Sequence, residues 1–107
     1  MSEIAMIGDR DSIMGFKALG VAIYPAETAQ QAMQAIREAV HQQYRIVFIT
    51  EEVMPDRSEV EALLGSRPYP VITPIPSNRG SLGLGMRRLR DLIIKAAGAD
   101  ILGEEER

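Results

Sequence analysis

The chain has 107 residues, no cysteine and a formal net charge of −3 at neutral pH. A chain of this length forms one domain and buries roughly 60–70% of its unfolded surface without disulfides or thiolate metal sites. The acidic balance argues against nucleic-acid capture, and no apolar run approaches the roughly 18 residues of a membrane span. Without a signal-peptide pattern, the composition predicts a cytoplasmic protein that binds no nucleic acid and does not insert into a membrane.

Short apolar runs alternate with longer amphipathic segments, which is the pattern of a parallel α/β sheet. The first strand is predicted at 4–7 (IAMI). A short helix is predicted at 11–19, with Asp11 or Ser12 as its N-cap and Gly20 at its end.

The second strand is predicted at 21–24 (VAIY), and the clearest helix of the chain follows it. Thr28 and Gln31 predict a capping box at the start of this helix. Three- and four-residue spacing then gives one apolar face. Its members are Ala29, Ala32, Met33, Ile36, Ala39 and Val40.

The third strand is predicted at 46–49 (IVFI), where four consecutive apolar residues indicate a central strand covered on both faces. A second capping box, formed by Ser58 and Glu61, predicts another helix that Gly65 ends. The apolar positions of that helix are Val60, Leu63 and Leu64.

The fourth strand is predicted at 70–75 (PVITPI), and Pro74 places it at a sheet edge because proline cannot donate a ladder hydrogen bond. A last helix is predicted from about 84 to 97. Right-handed crossovers with one topological switch predict a flavodoxin-like (receiver-like) α/β domain over residues 1–77. Its parallel sheet has the order 2-1-3-4, with helices on both faces.

A glycine-rich stretch, 78–85 (NRGSLGLG), follows the fourth strand and precedes a basic segment. Gly80, Gly83 and Gly85 do not have the order of a dinucleotide fingerprint, which also belongs after the first strand. No Walker sequence follows either. The stretch is therefore predicted to be a flexible turn into a C-terminal helix and acidic tail over 86–107.

Acidic residues follow the first and third predicted strands, whose carboxyl ends flank the switch point of the sheet. Asp9, Asp11, Glu51 and Glu52 are expected to cap helices and to favour the positive ends of the helix dipoles. The alternative is a small receiver-like signalling domain that binds a metal ion or ligand at Asp9, Asp11 and Glu51. No constellation for catalysis stands out, and no cofactor site is predicted.

Three blocks of the sequence resemble one family when they are taken together. They are "GDRDSIMGFKALGV" (8–21), "IVFITEEV" (46–53) and "PVITPIPSNRGSLGLG" (70–85). The combination resembles the F subunit of the V-type (archaeal/vacuolar-type) rotary ATPases and ATP synthases, and the resemblance extends along nearly the whole chain.

The resemblance implies a non-catalytic subunit of the central stalk, peripheral to the membrane, in a complex that couples ATP hydrolysis or synthesis to proton or sodium transport. It implies binding to the coiled-coil shaft (the D subunit), with a mobile C-terminal helix that reaches the A/B catalytic hexamer. Gly80, Gly83 and Gly85 would then form a hinge. The candidate partner contacts are Arg79, Arg87, Arg88, Arg90, Ile93, Lys95, Glu51, Glu52 and Met54.

Overall fold

The computed structural model describes residues 3–76 and 87–95. Its sheet has the order β2-β1-β3-β4, and all of the neighbouring pairs are parallel. The strands are β1 (Ile4–Gly8), β2 (Ala22–Pro25), β3 (Ile46–Thr50) and β4 (Val71–Ile75). The predicted fold class and strand order are confirmed, with β1 and β3 in the centre and β2 and β4 at the edges.

Helices connect the strands and cover both faces of the sheet. They are α1 (Arg10–Ile13), which continues as a 3-10 helix (Met14–Leu19), α2 (Ala29–His41), a 3-10 turn (Glu51–Val53), α3 (Arg57–Leu64) and α4 (87–95). The left-handed backbone of Gly20, with φ of 85°, ends the first 3-10 helix as predicted.

The core has two parts because successive side chains of a strand point to opposite faces of the sheet. On one face, Ala5 and Ile7 of β1 pack with buried residues of α2 and α3, including Ile36 and Val60. On the other face, Met6 belongs to a second cluster. This second cluster consists of Met6, Ile13, Phe16, Val21 and Ile75, with Leu89 and Ile93 of α4 packed against it.

The predicted start of α1 was wrong. Asp9 is the N-cap, rather than Asp11 or Ser12, and its side chain accepts a hydrogen bond from the Ser12 backbone N–H. The extended backbone of Asp9, with ψ of 148°, follows directly from β1, so the helix begins as soon as the strand ends.

The predicted start of α3 was also wrong. The N-cap is Asp56, whose side chain makes no capping hydrogen bond, and Ser58 is already the second residue of the helix. Ser58 and Glu61 are therefore inside the helix and cannot form the predicted box, which requires Ser58 at the N-cap. The prediction that Gly65 ends α3 is confirmed.

The cap of α2 is confirmed in part. Gln31 N–H donates to Thr28 Oγ1 at 3.1 Å, but Gln31 Oε1 accepts from Glu27 N–H at 2.7 Å rather than from the N-cap residue itself. Within the predicted apolar face, Ala29 is exposed, whereas Ala35, which the prediction omitted, is buried.

Proline protects the β4 edge of the sheet. Val71 N–H donates to Arg45 C=O at 2.8 Å, so β4 directs the backbone groups of alternate residues, Ile72 and Pro74, away from β3. Pro74 has no N–H to present there, which explains why this strand tolerates a proline. The predicted edge position of Pro74 is confirmed.

Candidate functional site

The carboxyl ends of β1 and β3 are in close contact at the switch point of the sheet. A Cβ atom placed on Gly8 would lie 2.6 Å from Thr50 Cγ2 and 2.7 Å from Thr50 Oγ1. Thr50 is fully buried, and its hydroxyl has no hydrogen-bond partner. The Thr50 side chain therefore fills the space between the two strand ends where a ligand crevice would begin.

Asp9 follows β1 and has a structural role. It is only 5% exposed, and Ser12 contacts both of its carboxylate oxygens. The backbone N–H of Ser12 donates to Oδ2 at 3.1 Å and the hydroxyl of Ser12 donates to Oδ1 at 2.8 Å. The predicted capping role of this acid is confirmed.

The other acids of this edge are at the surface. Asp11, Glu51 and Glu52 are exposed, and Glu51 begins the 3-10 turn after β3. In the described part of the chain, no three His, Cys, Asp or Glu side chains are grouped so that they could hold a metal ion. Met54, which follows the 3-10 turn, is half-buried against the first core cluster.

Helix α4 contacts the domain through a narrow stripe. Leu89 and Ile93, four residues apart, are half-buried against the second core cluster. Ile93, a predicted partner contact, has part of its surface covered by this cluster, and its contact with a partner stays a prediction. The candidate cations of this helix are all exposed, namely Arg87, Arg88, Arg90 and Lys95.

Two large apolar residues of α4 remain exposed, and neither was predicted from the sequence. Leu92 is 58% exposed and Ile94 is 44% exposed. At 3.6 residues per turn they lie on opposite flanks of the buried stripe, Leu92 beside Arg88 and Ile94 beside Arg90. In the sequence, Leu92 and Ile94 fall outside the four-residue spacing of Leu89 and Ile93, and this signal could have identified them as exposed.

The remaining predicted positions lie outside the described residues. These are the glycines Gly80, Gly83 and Gly85 and the cation Arg79. The hinge therefore stays a prediction.

A pair of tyrosines, one in β2 and one just before β3, was not predicted from the sequence either. Tyr24 donates a hydrogen bond to Tyr44 at 3.2 Å, and their rings pack edge to face with centroids 6.1 Å apart. Burial raises the pKa of Tyr24, and its hydrogen bond to Tyr44 and the charge of Glu38 raise that pKa further. Nearby, the Arg45 guanidinium lies 5.2 Å from the centroid of the Tyr69 ring.

The fold and these surfaces define a small flavodoxin-like α/β domain whose last helix partly covers one face of the sheet. The family model for the ATP synthase (F/14-kDa) subunit matches residues 4–93, and the chain belongs to this family. Among the described residues, no helix combines the length and apolarity needed to cross a bilayer.

Curated relatives match over nearly their full length. The chain is 37% identical to the F subunit of the V-type ATP synthase of Fusobacterium nucleatum over 102 residues, covering 95% of this chain and 97% of the relative. It is 35% identical to the corresponding V-type protein of Clostridium botulinum, covering 94% and 97%. It is 33% identical to the F subunit of the A-type ATP synthase of Methanothermobacter thermautotrophicus, also covering 94% and 97%. The family resemblance noted from the sequence is confirmed.

Proposed function

We propose that the chain is a non-catalytic central-stalk subunit of a V/A-type ATP synthase. It binds the coiled-coil shaft (the D subunit), along which its C-terminal helix, including α4, reaches the A/B catalytic hexamer, and it adjusts the coupling of ATP hydrolysis or synthesis to proton or sodium transport. Its place is cytoplasmic and peripheral to the membrane. Family membership supports the assignment to the complex.

The observation that carries the proposal is the pair of exposed flanks on α4. Each flank combines a large apolar residue with an arginine four positions earlier, Arg88 with Leu92 and Arg90 with Ile94. Apolar side chains supply buried area at an interface, and arginine is enriched among the residues that dominate binding. A partner with apolar and acidic side chains would complement these flanks.

Helix α4 also has a separate, solvent-facing row of charges. Arg87, Asp91 and Lys95 follow one another at four-residue spacing, which favours attraction along the helix. Charges of this kind steer association and set register more than they add affinity. The apolar flanks are therefore the residues to test for affinity.

Binding to the purified shaft protein of the same organism tests the proposal. The full chain is mixed with the shaft protein and the molar mass of the eluting species is measured by light scattering. We expect a stoichiometric complex for the natural chain and about tenfold weaker binding when Leu92→Gln and Ile94→Gln are combined. The matched control is Arg57→Glu, an exposed charge change on α3, and it leaves binding unchanged.

A natural chain that stays monomeric beside a folded shaft protein contradicts the proposed partner. Equal binding by the natural chain and the Leu92→Gln, Ile94→Gln double variant assigns the contact to another surface. Steady ATP turnover by the isolated chain contradicts the non-catalytic role.

A further inference from the structure

The β2 edge of the sheet borders a groove, and some backbone groups of β2 point away from β1. Ala26 N–H donates to Gly8 C=O at 2.7 Å, so β2 directs its alternate residues toward β1. The N–H and C=O of Ile23 therefore point away from the sheet. Pro25, the next outward residue, has no N–H, as Pro74 has none on β4, so Ile23 is the residue of β2 whose donor and acceptor can pair with an extended segment.

The walls of this groove are apolar at the base and positively charged above. Val21 and Ile23 line it from the strand side, and Met14, which is 36% exposed, lines it from the 3-10 helix. Arg10 and Lys17 lie on the same wall as Met14, and both are exposed. The groove thus fits an extended segment that carries apolar side chains followed by carboxylates.

We propose that the groove binds the chain's own C-terminal segment, residues 96–107 (AAGADILGEEER). Ile101 and Leu102 would cover the apolar base, and the acids from Glu104 to Glu106 would meet Arg10 and Lys17. The segment has four carboxylate side chains and a single arginine, so its charge complements the two cations. The proposal does not depend on the stalk assignment.

The length of the chain permits this contact. Helix α4 and the 3-10 helix pack on the same face of the sheet, since Leu89 and Phe16 belong to one core region. Glu104 follows Lys95 by nine positions, which span up to about 30 Å when extended. Three strand spacings, from β4 to β2, measure only about 15 Å. A segment tethered at this distance has an effective concentration in the millimolar range, which favours it over an acidic segment of another molecule.

Introduced cysteines in the full chain test the contact, and the natural sequence has none to interfere. The test pair is Met14→Cys with Gly103→Cys. The control pair is Glu59→Cys with Gly103→Cys, because Glu59 is exposed on α3, which packs on the opposite sheet face. Under mild oxidation at low salt, we expect the monomeric disulfide to form about fivefold faster in the test pair, the scale of two weak ion pairs.

Removing the charges supplies the second arm of the test. Arg10→Gln with Lys17→Gln, or a salt concentration of about 0.5 M, is expected to reduce the rate advantage of the test pair to the part that the apolar contacts supply. Equal rates in the unmodified background overturn the proposal, as does a rate advantage that stays unchanged when both cations are removed. Disulfide-linked dimers as the main product also overturn it, because they assign the groove to a second copy.

A second experiment uses no cysteines, so it tests the contact even if a cysteine variant does not fold. Amide spectra of the full chain are compared with those of the Glu104→Gln, Glu105→Gln, Glu106→Gln triple variant. We expect the Ile23 amide signal to shift, whereas the Val60 amide on the opposite face stays in place. Identical Ile23 signals in the two proteins overturn the proposal.

Discussion

Substitution of Gly8 tests the close contact between the carboxyl ends of β1 and β3. In Gly8→Ala the new methyl would lie 2.6 Å from Thr50 Cγ2 and 2.7 Å from Thr50 Oγ1, and Thr50 is fully buried. Overpacking of this kind costs about 1–3 kcal/mol. For a domain of this size the melting temperature should fall by about 5–20 °C, measured by circular dichroism or calorimetry. The matched control is Gly15→Ala, where a Cβ atom meets nothing within 4 Å, and we expect little change.

A double-mutant cycle identifies Thr50 as the cause. Thr50→Ala removes both of the nearest atoms, which leaves Thr50 Cβ at 3.2 Å from the position of the new methyl. The combined Gly8→Ala, Thr50→Ala variant should therefore be more stable than the sum of the single effects predicts, by about 1–2 kcal/mol. A Gly8→Ala variant as stable as Gly15→Ala, or strictly additive single effects, would refute the reasoning.

Three further predictions concern a cap, a phenol and the last helix. Asp9→Ala should lower the free energy of unfolding by about 1–2 kcal/mol, because the Asp9 carboxylate caps α1. The control Asp56→Ala should lower it little, because Asp56 makes no side-chain capping bond. Equal denaturation midpoints for the two variants would contradict this prediction. Because the pKa of Tyr24 is raised in the folded state, that state keeps a proton which the unfolded chain loses near pH 10, so stability falls as pH rises above about 10. Tyr24→Phe should remove this part of the decline in denaturation measured from pH 9 to 11, and an unchanged slope would argue against it. Leu89→Ala should lower the melting temperature by several degrees, while Leu92→Ala should leave it nearly unchanged, and the reverse order would contradict the described docking of α4.

The strand order and the central position of β3 were predictable from the sequence because they depend on patterns that extend over many residues. Four apolar residues at 46–49 indicate a strand covered on both faces, and Pro74 is compatible only with an edge. Both features can be predicted correctly even when the end of an element is misplaced by a residue or two. The start of a helix cannot, because a single N-cap residue determines it.

The two wrong N-caps show why local signals can fail. Ser58 and Glu61 have the spacing of a capping box, but the same spacing occurs inside any helix that contains serine and glutamate. Asp9 is the N-cap of α1, whereas the sequence pattern favours Asp11 or Ser12. Only the ψ angle of Asp9 and its two contacts with Ser12 distinguish it from Asp11.

The buried hydroxyl of Thr50 could not be predicted, since its lack of a partner depends on packing from both strands. The exposed flanks of α4 are a different case. Leu92 and Ile94 are visible in the sequence, but which apolar residues of a helix are buried depends on the rotation of the helix against the sheet. That rotation follows from the second core cluster, to which residues distant in sequence contribute.

The packing of α4 bears on the proposed mobility of this helix. Leu89 and Ile93 are half-buried, so each contributes less than the roughly 1.5–3 kcal/mol that a fully buried side chain supplies. Release of α4 would also expose part of the cluster around Met6 and Phe16 to water. A partner can therefore displace α4 from the sheet only if it covers about as much apolar surface as the displacement exposes. The side chains of Leu92 and Ile94 are already exposed, so a partner can bind them while α4 is still docked. Binding at the flanks would come first, and displacement of the helix would require a partner that binds the released form more tightly than the docked form.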